Sequence, residues 1–278
     1  MKDLNRKHSE AVFELQHVRF MYPDRILGVE IEELVIPRGV CTILLGPNGS
    51  GKSTLLKILD GLIFPQEGEV RTFGEMLSEK HLSDRRFRRF FRSNVGFVFQ
   101  DADIQCFSPS VREELAFGPI QKGLNSDEVN RRVEEAMRIL RIDSIAERYP
   151  YRLSGGEKKR VAIASVLTID PNVYLLDEPT ANLDPATEGI LIDLLADFTA
   201  QDKTLVVATQ DLLLARHIGS QAVVLGTERK PLAAGPIDEI LERGDLLASV
   251  GLTHAHRHPH RKARVGIRHT HYTEEDNE

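Results

Sequence analysis

Long apolar runs are missing from this chain. Across its 278 residues no uninterrupted apolar stretch approaches the roughly 18–20 residues that a membrane-spanning helix requires. If the protein acts at a membrane, another subunit has to do the crossing. Residues 1–10 are polar and lack the apolar centre of a secretory signal peptide. Cysteine is scarce too. Cys41 and Cys106 are the only two, which is no disulfide framework and agrees with a reducing cytosol. Positive charge is not in excess: the formal net charge is −6. That argues against a chain that coats nucleic acid, and no nucleic-acid partner is expected, although local basic patches stay open. No internal repeat is present, so the chain carries one set of motifs. What it does have is an ordinary apolar share, 41%, enough for a sizeable core.

Residues 12–20 alternate apolar and polar side chains, as a half-exposed strand does. Residues 29–36 read as a second strand, with Pro37 and Gly39 making the turn after it. The nearly continuous apolar run 40–45 suits a strand buried on both faces of a parallel sheet. A glycine-rich turn, 46–51, comes next, then helical spacing over 52–62 and a short strand over 95–99. From about 101 to 150 the pattern is helical. Ser126 is placed to cap a helix whose apolar positions Val129, Val133, Met137 and Leu140 recur at three and four residues. Sheet-like runs return at 173–176 and 204–208. Between them lies a helix with Asp184 as N-cap, Pro185 at its first position and a stripe of Ile190, Leu191, Leu194, Leu195 and Phe198. Strands alternating with helices imply parallel pairing through right-handed crossovers. After about 250 the periodicity stops, and the remainder, His- and Arg-rich and then acidic, has the composition of a disordered tail. The expected organisation is one domain over 1–250, with a helical subdomain at about 101–165, and a tail over 251–278.

Gly46-Pro47-Asn48-Gly49-Ser50-Gly51-Lys52-Ser53 fits the phosphate-binding pattern G-x-x-x-x-G-K-[ST] in full, and Thr54 continues into the helix. Small residues let successive backbone N–H groups wrap around phosphate oxygens, and the next helix points its positive end at them. Lys52 supplies a point charge for the β- and γ-phosphates, and the Ser53 hydroxyl is a ligand for Mg²⁺. Such a loop needs a carboxylate to hold the metal. The apolar run 173–176 ends in Asp177 and Glu178: Asp177 at the strand tip would face Mg²⁺, and Glu178 would polarise the attacking water.

Leu153-Ser154-Gly155-Gly156-Glu157 has a local explanation, since Ser154 and Glu157 make a capping box for the helix over 158–168. A Ser-Gly-Gly helix start is also an anion site, and this one lies roughly 100 residues after the phosphate loop. The two motifs together resemble the ATP-binding-cassette family over about residues 10–245. The resemblance implies an α/β fold: a P-loop NTPase core with a mostly parallel sheet, a small antiparallel β subdomain and an inserted helical subdomain. It also implies ATP and Mg²⁺ as ligands, and two ATP molecules held between two chains. In that family the Leu-Ser-Gly-Gly helix start of one chain, here Ser154, Gly155 and Gly156, binds the γ-phosphate held by the other's loop. Gln100 matches the glutamine that reaches Mg²⁺ and water and signals to the membrane subunit. Ala181-Asn182-Leu183-Asp184 matches the loop connecting the two sites, and Tyr22 matches the aromatic that stacks on adenine, although an ordinary strand-end tyrosine would look the same. One departure stands out. The family has a histidine at the γ-phosphate where this chain has Gln210, whose amide donates a hydrogen bond but neither carries charge nor exchanges a proton. Either hydrolysis is slow or supported elsewhere, or the chain pairs with a non-identical ATPase chain that keeps the histidine.

The segment 95–119 looks like the ATPases of energy-coupling-factor importers, and within that branch it is closest to the cobalt/nickel importers. Ala102 departs from the proline usual there. The tail adds alternating His254, His256, His258 and His260, with His269 and His271 repeating the spacing. In an extended chain these project to one side and could converge on a transition-metal cation; a solvated tail is the other reading. Arg85, Arg88, Arg89 and Arg92 cluster opposite Phe87, Phe90 and Phe91 on a helix, either as a solvated amphipathic face or as a contact for anionic lipid. The resemblance implies an ATPase energising cobalt or nickel import from the cytoplasmic face of the cell membrane. Its partners would be a second ATPase chain, in a homodimer or alternatively a heterodimer, a transmembrane coupling subunit and a substrate-binding membrane subunit. The alternatives are an importer of another substrate such as a vitamin, or a weakly hydrolysing ABC ATPase outside transport. Chromosome-maintenance members carry long coiled-coil insertions and translation-linked members carry two cassettes; this chain has neither.

Overall fold

The computed structural model describes residues 11–256 and 269–271. Six strands form the central sheet, in the spatial order β10 (Pro231–Pro236), β9 (Gln221–Leu225), β3 (Cys41–Leu45), β8 (Thr204–Thr209), β7 (Val173–Asp177) and β6 (Val95–Val98). All pair in parallel except β10, which runs antiparallel to β9. The apolar runs explain the placement. Cys41, Ile43 and Leu45 of β3, Tyr174 and Leu176 of β7 and Leu205 and Val207 of β8 pack into one core. Leu44, Val173, Leu175, Val206 and Ala208 point the other way into a second core. A period of two thus splits each strand between two apolar layers, and both faces of the sheet are covered. Each Val or Leu buried in this way contributes roughly 1.5–3 kcal/mol, so the sheet holds its strand ends firmly.

The second core is closed by a four-stranded antiparallel sheet in the order β2 (Leu27–Pro37), β1 (Ala11–Met21), β4 (Glu67–Thr72) and β5 (Glu75–Met76). Between the two sheets lies α1 (Lys52–Leu59), which buries Leu55, Leu56, Ile58 and Leu59 there. It stops before the expected end at 62, at a turn through Asp60 and Gly61. Two more helices, α2 (Glu79–Ser83) and α3 (Arg85–Asn94), lead into β6.

The expected helical insertion lies between β6 and β7, as α4 (Val111–Lys122), α5 (Ser126–Ile139) and α6 (Gly155–Leu167). The apolar stripe of α5 is as expected, with Val129, Val133 and Met137 buried, but its cap is not Ser126. Asn125 stands there, its side chain accepting the Glu128 N–H at 3.0 Å, and Ser126 is the first helical residue. Either residue type caps well, so spacing alone does not choose between them. After β7, α7 (Pro185–Ala200) opens with Asp184 as N-cap and buries Leu191 and Leu195, whereas Ile190, Leu194 and Phe198 are half-buried. α8 (Leu212–Ile218), α9 (Ile237–Glu242) and α10 (Gly244–Ser249) complete the α-helices among the described residues. None of the described helices is long and apolar enough to cross a membrane.

Composition predicts no order beyond 250. The described backbone there instead pairs β11 (His254–His256) antiparallel with β12 (His269–His271). His258 and His260 lie outside the described residues.

Candidate nucleotide-binding site

Register aligns the C-terminal ends of the parallel strands: Leu45 stands beside Thr209, Ala208 beside Asp177 and Leu176 beside Val98. The segments leaving these strands therefore gather along one edge, the usual ligand side of such a sheet. From β3 the chain enters the loop 46–51. Gly51 has φ 98, and a Cβ there would lie 2.7 Å from the Gly28 carbonyl oxygen; at Gly46 it would lie 2.5 Å from that of Leu225. Any side chain at either position would push the loop off its neighbours. α1 then begins with no side-chain cap on its first N–H groups and no acid in its first turn. Those amides are left for an anion. The Lys52 ammonium, 6% exposed, donates to the carbonyls of Gly46 at 2.6 Å and Pro47 at 3.2 Å and stands 4.0 Å from Glu178 Oε1. Burial pulls its pKa down, against the attraction of Glu178 and Asp177.

β7 carries Asp177 to this edge. Burial pushes its carboxyl above the usual range, against a hydrogen bond from Ser53 and the ammonium groups of Lys159 and Lys52. Glu178 is raised for the same reason, opposed by Lys52 and by a hydrogen bond from Thr209 Oγ1 to Oε2 at 3.1 Å. Its backbone lies in the left-handed region, φ 43. Asp177 Oδ1, Glu178 Oε1 and Ser50 Oγ are all buried without a partner. Orphaned oxygens are uncommon in folded chains, and the two on Asp177 and Glu178, which line one cavity, call for a ligand. A hydroxyl, a carboxylate and an amide oxygen, from Ser53, Asp177 and Gln100, are the hard donors that suit Mg²⁺.

A cavity of about 380 Å³ opens over these groups, lined by Tyr22, Ile26, Gly28, Asn48, Gly49, Gly51, Lys52, Ser53, Thr54, Gln100, Asp177, Glu178 and Arg229. The Tyr22 ring is set edge-on to Phe20, 5.0 Å between centroids, and its hydroxyl lies 3.0 Å from Thr54 Oγ1. Ser154 caps α6 in a complete capping box: its Oγ accepts the Glu157 N–H and its own N–H donates to Glu157 Oε2 at 2.8 Å. The loop 181–184 packs against this helix start, where a Cβ on Gly156 would lie 3.1 Å from Asn182 O.

The family model for ABC transporters matches residues 31–181, just over half of the chain. The chain belongs to the ABC transporter family. As an ABC transporter ATPase it is 48% identical over 238 residues to the nickel import ATP-binding protein NikO of Rhodobacter capsulatus, covering 84% of this chain and 93% of that one. Among solved structures it resembles cbiO1 of Clostridium perfringens, described as part of the ABC transporter complex cbiONQ. There the TM-score is 0.70 at 30% identity, covering 87% of this chain and 95% of that one. It also resembles MJ0796, a cassette solved as a dimer in a post-hydrolysis state with ADP and Pi, with a TM-score of 0.73 at 30% identity over 81% of this chain and 98% of that one.

In this ABC ATPase Asn48, Gly49, Gly51, Lys52 and Ser53 of the loop line one cavity with Tyr22, Thr54, Gln100, Asp177 and Glu178. Gly46, Pro47 and Ser50 form the back of the loop rather than the cavity wall. Gln210, exposed, and the start of α6 at Ser154, Gly155 and Gly156 do not line the cavity of their own chain. Three residues that sequence reasoning missed stand at the site: Thr209, Lys159 and Arg229. The Arg229 Nε donates to Gly49 O at 3.2 Å, although the two are 180 residues apart. No motif marks any of the three, because their partners are distant in sequence.

Proposed function

We propose that this ABC ATPase energises the import of nickel or cobalt ions, as a dimer that closes around two ATP molecules at the cytoplasmic face of the cell membrane. The observation that carries the dimer is the capped, solvent-facing start of α6. Its Ser154-Gly155-Gly156 sequence matches the family's γ-phosphate contact yet lies away from its own chain's cavity, so its ligand would belong to a second chain. The likeness to a nickel import protein supports the substrate. The tail adds to it: the backbone register sets His254 opposite His271 and His256 opposite His269. Histidines that alternate along the sequence in this way suit a transition-metal cation.

For hydrolysis, the loop amides and Lys52 hold the phosphates. Mg²⁺ held by Ser53, Gln100 and Asp177 would draw off charge that develops on the phosphate oxygens. Thr209 fixes one carboxylate oxygen of Glu178 and leaves the other free to orient water in line with the γ-phosphate and accept its proton. The partner subunit's Ser154 and this chain's own Gln210 would donate to the same phosphate. The membrane subunit docks on the segment 101–119, where Ile104, Phe107 and Phe117 are exposed at 64%, 69% and 45%. Beside it Arg85, Arg88, Arg89 and Arg92 line one wall of a groove. Affinity isolation from solubilised membranes tests this: a second copy of the chain, a transmembrane coupling subunit and a substrate-binding membrane subunit should co-purify. Recovery of the chain alone, under conditions that preserve other transporters, would contradict it.

A further inference from the structure

Lys159 stands on α6, five residues after Ser154, and is 2% exposed. Among the described residues its ammonium makes no close pair with a carboxylate. It donates to three backbone carbonyls instead: Phe99 at 3.0 Å, Gln100 at 3.3 Å and Asp177 at 3.3 Å. Phe99 and Gln100 come just after the end of β6, and Asp177 ends β7. The desolvation this requires is large for a lysine, and burial pulls its pKa down to about 8 against the pull of Asp177, Glu178 and Asp101. A methionine of similar volume would fill the same space without that desolvation. The charge therefore does something that packing does not. Two of its three carbonyls belong to Gln100 and Asp177, whose side chains suit Mg²⁺. The helix that carries it opens at Ser154-Gly155-Gly156, roughly 7–8 Å away along the axis at 1.5 Å per residue.

We propose that Lys159 is a positioning residue that fixes the start of α6 to the strand ends bearing Gln100 and Asp177, so that filling one chain's metal–nucleotide site sets the aim of the helix start offered to the partner's nucleotide. This rests on the proposed dimer. It assigns to one side chain a link between the two sites of the dimer, running through the core of a single chain. Carbonyls at the ends of β6 and β7 that lose this donor relax, and with them the side chains aimed from those residues.

The test uses the full chain with Lys159→Met, and with Lys159→Gln, which keeps two N–H donors and serves where methionine prevents folding. Equilibrium titration with a fluorescent ATP analogue is done in EDTA and again in Mg²⁺. In EDTA the variants should bind like the parent. The gain in affinity on adding Mg²⁺ should fall about tenfold in Lys159→Met, as it does when groups supporting metal ligands are removed, with partial recovery in Lys159→Gln. In a Glu178→Gln background, ATP should trap a dimer with Lys159 present and fail to do so with Lys159→Met. An unchanged Mg²⁺ gain and an unchanged dimer yield, with only a lower melting temperature, would overturn the proposal and leave Lys159 a structural tie. If Glu178→Gln alone traps no dimer, the dimer reading fails. The Mg²⁺ titration then decides by itself: a lost gain upholds the link to the strand ends, and a normal one removes it.

Discussion

Glu178 is held in a backbone conformation that non-glycine residues seldom adopt, φ 43. Such strain persists where the surroundings over-determine it, and it clusters at working sites. Here Thr209 holds one carboxylate oxygen, and the other lies 4.0 Å from the Lys52 ammonium without a hydrogen bond. Glu178→Gln keeps the shape and the Thr209 contact but cannot accept a proton. ATP turnover should fall by about 10²-fold or more, while equilibrium ATP binding stays near that of the parent. Undiminished turnover would remove Glu178 from the chemistry. At this scale the sequence is half legible. Asp177 and Glu178 are readable because an apolar strand ends on them. Thr209, Lys159 and Arg229 are not, because Thr209 meets Glu178 from 31 residues away, Lys159 meets Phe99 across 60 and Arg229 meets Gly49 across 180. Only the folded sheet edge brings such groups together. Gln210 is legible as a departure from the family pattern, but its place outside the cavity is not.

Between elements, Asp60 at the end of α1 meets Arg92 of α3. Arg92 Nη1 donates to its carboxylate at 2.8 Å and to its carbonyl at 2.9 Å. Burial outweighs the guanidinium and raises the acid to about 6. An acid raised by folding binds its proton more tightly in the folded chain. Its contribution is therefore most favourable below the unfolded pKa of roughly 3.9 and is lost as pH rises through about 6. Denaturant unfolding of the parent and of Asp60→Asn at about pH 4.5 and pH 7.5 should differ in a pH-dependent way. The parent should lose stability relative to the variant at the higher pH, by up to about 3 kcal/mol for a shift near two units. A difference independent of pH would contradict the assignment. The tail ribbon belongs to this scale as well. Removing residues after 250 should spare ATP binding and reduce Ni²⁺ binding in calorimetric titration, and the parent's binding should weaken between about pH 7 and pH 5.5 as imidazoles take up protons. Equal Ni²⁺ binding by both chains would leave the ribbon without a metal. Alternation of histidine is visible in the sequence, whereas the pairing partner is not, since register joins segments 13 residues or more apart. The cap at Asn125 escapes sequence reading for a smaller reason, two good capping residues standing side by side.

Among the described residues two apolar cores lie on either side of one sheet, with the nucleotide cavity at one edge of it. That architecture is legible because the strands of the parallel sheet are apolar throughout and the motifs fall between them in order. The relation between chains is another matter. The exposed start of α6 lies outside its own chain's cavity, and in the proposed dimer it would face a partner's nucleotide. The central claim is that ATP hydrolysis by this chain drives a metal ion across a membrane. Reconstituting the isolated complex into vesicles and following radiolabelled Ni²⁺ and Co²⁺ uptake tests it most directly. Accumulation that needs ATP and Mg²⁺ and disappears with Glu178→Gln is the predicted result. ATP turnover by the complex with neither ion accumulating would contradict the account.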